Sequence, residues 1–105
     1  MNEDFFKLDL SSIYLTEMAE LTRWGGIVVK MNPEKDTRHH AIHFHARYSG
    51  QQVSVDINGN VLVGTLPSTQ LKQVKEWAVL RQSELRKAWE VLSKGGVPDK
   101  IEPYE

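Results

Sequence analysis

Apolar and polar positions alternate through the middle of this chain and then change to a helical rhythm. Residues 24–31 (WGGIVVKM) are apolar and β-branched after a glycine pair and read as a strand. Residues 32–38 (NPEKDTR) combine a proline with polar and charged side chains, a loop composition. Residues 42–48 read as a second strand, with Ser49-Gly50 leading into a tight turn. Residues 53–57 alternate with period two, as a half-buried strand does. Asn58-Gly59 tolerates the positive φ that a hairpin turn requires, and residues 61–63, closed by Gly64, form a fourth strand.

Residues 65–68 (TLPS) open a helix. Pro67 lacks an N–H that the first turn leaves unsatisfied anyway, and the Ser68 hydroxyl is suited to accept from an orphan donor. Leu71, Val74, Ala78, Leu85, Ala88 and Leu92 then recur at spacings of three, four or seven. They make one apolar stripe at 3.6 residues per turn. Arg81 occupies a stripe position between Ala78 and Leu85, which predicts a kink or split there. Gly95-Gly96 and Pro98 end the helix. Residues 1–20 read as an N-terminal extension, partly helical or loosely ordered. Ser11 or Ser12 is the candidate cap of a short helix through Ile13, Leu15, Met18, Ala19 and Leu21, with an extended reading of Tyr14-Leu15 beside it. The tail at 100–103 is expected to be extended and tucked back by Ile101. The fold class is therefore α+β. An antiparallel meander of three or four strands lies within a single domain at 21–105, its apolar face covered by a long helix over 68–93.

Composition narrows the classes. Forty percent of the 105 residues are apolar, enough for one core. There is no cysteine, which removes disulfides and thiolate zinc sites. No apolar run approaches the roughly 18 residues of a membrane span, so a cytoplasmic protein without membrane partners is expected. The formal net charge of −1 creates no global field toward nucleic acid. The charge is unevenly placed, however. Residues 1–22 carry five acids against Lys7, whereas residues 23–52 carry five bases against two acids. All four histidines fall between 39 and 45, inside that basic block.

In an extended chain His43, His45 and Arg47 share one face, and Phe44, Ala46 and Tyr48 share the other. The apolar trio belongs on the core. The next strand turns Val53, Val55 and Ile57 inward and Ser54 and Asp56 outward. A turn at Gly50-Gln51 sets His45 opposite Asp56, and a turn at Ser49-Gly50 sets His43 opposite it. Three readings of this face stand side by side. One is a solvated polar surface. Another is a zinc site in which His43 and His45 are joined by a third ligand, His39, His40 or Asp56. The third is acid/base chemistry on an RNA phosphodiester without a cofactor, with His43, His45, Arg47 and Asp56 as the catalytic set. There a neutral imidazole takes the 2′-hydroxyl proton, a protonated one serves the leaving oxygen, Arg47 holds the charge building on phosphorus, and Asp56 fixes the tautomer of whichever histidine it touches. Gly25-Gly26 is not a phosphate loop, and neither a zinc-hydrolase helix motif nor a nucleophile elbow is present. Trp77 and Trp89 flank the helix stripe as core or partner-facing aromatics.

The string HFHARYSG (43–50), with VSVDI (53–57), GTLP (64–67), EWA (76–78), Trp89 and KIEP (100–103), closely resembles the small prokaryotic family called domain of unknown function 4160. GIVVKM (26–31) is similar to that family's first strand, and the resemblance spans about residues 21–103. His39 matches a histidine that the family carries four positions before the HFH unit, while Ala41 and Ile42 stand where a proline pair is usual. The resemblance implies a small cytosolic protein from paired-gene units of the toxin–antitoxin kind. The topology is also similar to HicA-type ribonuclease toxins, with Leu66-Pro67 and His43 or His45 as counterparts. The expected function is an accessory or toxin–antitoxin-like module that engages RNA or a cognate protein through the His/Arg/Asp face, with ribonuclease activity as its sharper version. The alternative is a zinc-binding or purely protein-interaction module without catalysis. The chain is expected as a monomer, or as a dimer through a sheet edge.

Overall fold

The computed structural model describes residues 18–32 and 41–105. The proposed helix at Ile13 and Leu15 and the loop at 33–38 lie outside the described residues. The elements run β1 (Ala19–Trp24), β2 (Ile27–Met31), β3 (His43–Tyr48), β4 (Gln51–Asp56), β5 (Val61–Gly64), α1 (Ser68–Leu80) and α2 (Gln82–Ser93). The strands form one antiparallel sheet in sequence order, β1-β2-β3-β4-β5. The α+β class and the meander stand, with two corrections. Among the described residues the sheet has five strands, and two helices replace the single long one.

The additional strand is β1. Gly25 and Gly26 both take positive φ, 51° and 84°, and form a two-residue hairpin turn between Trp24 and Ile27. The glycine pair therefore joins two strands, and Ala19 and Leu21 are extended rather than helical. Ser49-Gly50 repeats the device between β3 and β4, with φ of 48° and 81°.

The inner face of the sheet carries Trp24, Ile27, Val29, Met31, Phe44, Ala46, Val53 and Val55, all buried. Val74, Trp77 and Ala78 of α1 and Leu85 and Ala88 of α2 complete the core. Burying each large apolar side chain contributes roughly 1.5–3 kcal/mol. Trp77 sits at the centre, edge-on to Phe44 with ring centroids 5.3 Å apart. Its indole N–H donates 2.8 Å to the Glu102 carbonyl. That bond fixes the tail, whose Ile101 is buried and donates its N–H to Leu21 of β1.

The helical segment breaks at Arg81, where φ and ψ are −106° and 26°. A guanidinium at a core-facing position has to leave the apolar stripe, and Arg81 turns toward Glu84, 3.7 Å away. Gln82 anchors the second helix through bonds to the Ile57 carbonyl and the Asn58 side chain. Ser68 does not cap the first helix: Pro67 is the N-cap residue and no side chain bonds there.

Candidate functional site

The face of the sheet turned away from Trp77 is built by strand register. Glu20, Lys30, His45, Ser54 and Val63 oppose one another in succession across all five strands. The adjacent row is Arg23, Val28, Arg47 and Gln52. Residues opposed in a ladder share a face, so the two rows lie side by side. Between them is a cleft of about 160 Å³ lined by Arg23, Val28, Lys30, His45, Arg47 and Gln52. Among the described residues its charged lining is entirely cationic.

The four residues expected to carry chemistry separate across this face. The turn at Ser49-Gly50 selects the register in which His43, not His45, stands opposite Asp56. His45 and Arg47 line the cleft. His45 is half-buried, and its Nδ1 lies 2.9 Å from the Ser54 hydroxyl. Arg47 is exposed. His43 and Asp56 occupy the next row and are not part of the lining. His43 is only 6% exposed. Its Nδ1 donates 3.0 Å to the Ala41 carbonyl, which leaves Nε2 as the acceptor position of the neutral ring. The ring lies between Trp89, at 5.3 Å, and His45, at 5.5 Å.

Asp56 is committed to the β4–β5 turn. Its carboxylate accepts from the backbone N–H groups of Asn58 and Asn60, at 2.8 and 2.9 Å, and from the Asn60 side chain at 3.2 Å. Short polar side chains commonly bond the backbone two or more residues on in this manner. His39 and His40 lie outside the described residues. Among the described residues, no three His, Asp or Glu side chains are grouped to hold a metal ion.

Sequence reasoning missed Arg23 and Lys30. Arg23 is tied to Glu20, with Nε 2.9 Å from the carboxylate, and this guanidinium holds the Glu20 carboxyl below its ordinary value. Both cations become legible once Gly25-Gly26 is taken as a hairpin turn. Arg23 then faces Val28, and period two brings Lys30 to the same side.

Among the described residues, no helix is long and apolar enough to cross a membrane. No curated protein and no solved structure matches the chain. A family model does match, over residues 26–90, a narrower span than the 21–103 suggested by the motifs. That span begins at the β1–β2 turn and ends in α2, so it contains Lys30, the HFHARY strand, Ser54 and Trp89 but omits Arg23 and the C-terminal tail. The chain belongs to the family described as a domain of unknown function (DUF4160).

Proposed function

We propose that this protein is an RNA-binding module of the accessory or toxin–antitoxin-like kind, and that it grips the phosphodiester backbone in the cleft between β1 and β4. One observation carries the reading: Arg23, Lys30 and Arg47 come from three different strands and converge with His45 on one concavity that has no acidic lining residue among the described residues. A chain of net charge −1 concentrates positive potential there. A guanidinium pairs with phosphate through two parallel N–H bonds, and the neighbouring ammonium adds a point charge. The cleft is smaller than the roughly 300–1,000 Å³ of small-molecule sites. It therefore suits one phosphate group of a longer strand better than an enclosed cofactor.

In the ribonucleolytic version of this reading, the His45 ring turns to expose Nε2, which is buried in this structure, and takes the 2′-hydroxyl proton. The 2′-oxygen bonds to phosphorus, Arg47 holds the phosphorane charge, and the bond to the 5′-oxygen breaks as that oxygen takes a proton from water. His43, buried against Trp89, orients His45 and does not touch the strand. Binding and cleavage are separable. Fluorescence anisotropy with a labelled single-stranded RNA should show affinity that falls steeply with salt. Arg47→Ala should weaken binding about tenfold and flatten the salt dependence by roughly one phosphate contact. Absence of binding at low salt, or an unchanged affinity in Arg47→Ala, ends the proposal. RNA that is bound but stays intact removes only the cleavage step.

A further inference from the structure

One cation of the cleft already carries a carboxylate from its own strand. Arg23 Nε donates 2.9 Å to Glu20, three residues earlier in β1. Lys100 Nζ donates 2.9 Å to the Glu20 carbonyl and ties that stretch of backbone to the tail. Glu20 is opposed to Lys30, so it stands at the margin of the cleft without entering the lining. The lining keeps three cations, Arg23, Lys30 and Arg47, and no carboxylate among the described residues.

The chain that runs into β1 has the opposite sign. Residues 1–17 contain Glu3, Asp4, Asp9 and Glu17 against Lys7, a formal side-chain charge of −3. They join the sheet through Met18, which is buried two positions before Glu20. Their attachment therefore lies next to the row that holds Lys30 and His45. Seventeen residues span up to about 55 Å of chain. Arg47 on β3 is only two strand intervals, about 10 Å, from β1. Reach does not limit contact. Because these acids are tethered, the contact is intramolecular and holds at any protein concentration.

We infer that residues 1–17 are an acidic competitor in cis, whose carboxylates occupy the Arg23/Lys30/Arg47 cleft and leave it when a phosphodiester backbone enters. This regulation rests on the reading of the cleft as a phosphate site. Carboxylate and phosphate make the same two-pronged, charge-assisted bonds to a guanidinium, so one excludes the other. Three negative charges meet three positive ones. Exposed ion pairs are individually weak, which keeps the block reversible. A cleft open in about one molecule in ten binds RNA ~10-fold more weakly than an unblocked one.

Two measurements on the full chain test this. A carbodiimide, which couples a carboxylate to an amine in contact with it, should join Lys30 to an acid of residues 1–17, as mapped by mass spectrometry. The link should vanish in about 1 M salt, where screening acts within about 3 Å. In a mixture of ¹⁵N-labelled and unlabelled chains it should form within single copies. The quadruple variant Glu3→Gln, Asp4→Asn, Asp9→Asn, Glu17→Gln should bind single-stranded RNA about tenfold more tightly at low salt. The same charge change elsewhere is made by Glu76→Gln, Glu84→Gln and Glu90→Gln on the helices with Glu105→Gln in the tail, all exposed. That control should stay within about twofold of wild type. Absence of the link, links only between copies, an unchanged affinity in the first variant, or an equal gain in the control overturns the inference. A link at Lys30 with no RNA bound by any of the three proteins removes the RNA reading instead and leaves the intramolecular contact standing.

Discussion

Ser54 meets His45 across the β3–β4 ladder, its hydroxyl oxygen 2.9 Å from the imidazole Nδ1. The bond couples the hydroxyl rotor to the ring tautomer: a donating hydroxyl leaves the ring proton on Nε2, and an accepting one keeps it on Nδ1. Ser54 is buried, so its removal strips a partner from a half-buried ring nitrogen. Ser54→Ala should cost about 1 kcal/mol in urea unfolding and shift the His45 ring ¹⁵N resonances. Ser54→Thr should restore both.

Gly64 ends β5 with φ of 80°, and a Cβ placed there would run into the Gln52 carbonyl oxygen. Backbone cannot yield as a flexible side chain can. Gly64→Ala should therefore destabilise the fold by more than about 2 kcal/mol, combining left-handed strain with the clash. Gly95→Ala supplies the comparison, because φ there is also positive but the added methyl meets nothing within 4 Å. Thermal melts should show Gly64→Ala as the clearly worse of the two.

The tail is held by Trp77 and Ile101, one through a hydrogen bond and one through burial. Trp77→Phe removes the donor to Glu102 and leaves a cavity, and a loss of about 2–4 kcal/mol is expected. Ile101→Ala should cost about 2–5 kcal/mol. In both variants amide exchange should rise in β1 before it rises in β3, since β1 is the strand bonded to the tail.

Glu20 titrates below its ordinary value because Arg23 is hydrogen-bonded to it. A carboxyl with a depressed folded value binds fewer protons in the native state. Its contribution to stability is thus present above about 4.5, the ordinary value, and is lost as pH falls through the lower folded value. The pair is exposed, so the effect is small. Glu20→Gln should lower the urea midpoint slightly at neutral pH, and the difference should close under acid. In the RNA-binding reading, the same substitution releases Arg23 and should tighten binding.

Strand phase was the part of the structure most legible in the sequence. Phe44 and Ala46 go under the sheet and His45 and Arg47 stand on the other side because period two leaves a chain with one apolar face no other choice. The split at Arg81 was equally legible, since a charge interrupts an otherwise continuous stripe. Two things were not. Residues 19–21 carry apolar side chains at spacings that serve a helix as well as a bulged strand, and only pairing with β2 decides between them. His43 shares a face with His45, yet it is buried because Trp89 arrives from a helix more than forty residues later. Periodicity carries no information about such a long-range contact. The commitment of Asp56 to its own turn was also missed, although an aspartate two residues before Asn58-Gly59 is a local signal for it.

The bonds from Ile101 and Lys100 to β1 have a consequence for how far assembly can proceed. A sheet with two open flanks can add copies without limit and grow into a fibre. Where residues 100–101 bond to β1, that flank is occupied and closed to a neighbouring strand. Shortening the chain before residue 100 would remove that stop, and the truncated protein should precipitate as long β-rich aggregates where the intact one stays dispersed.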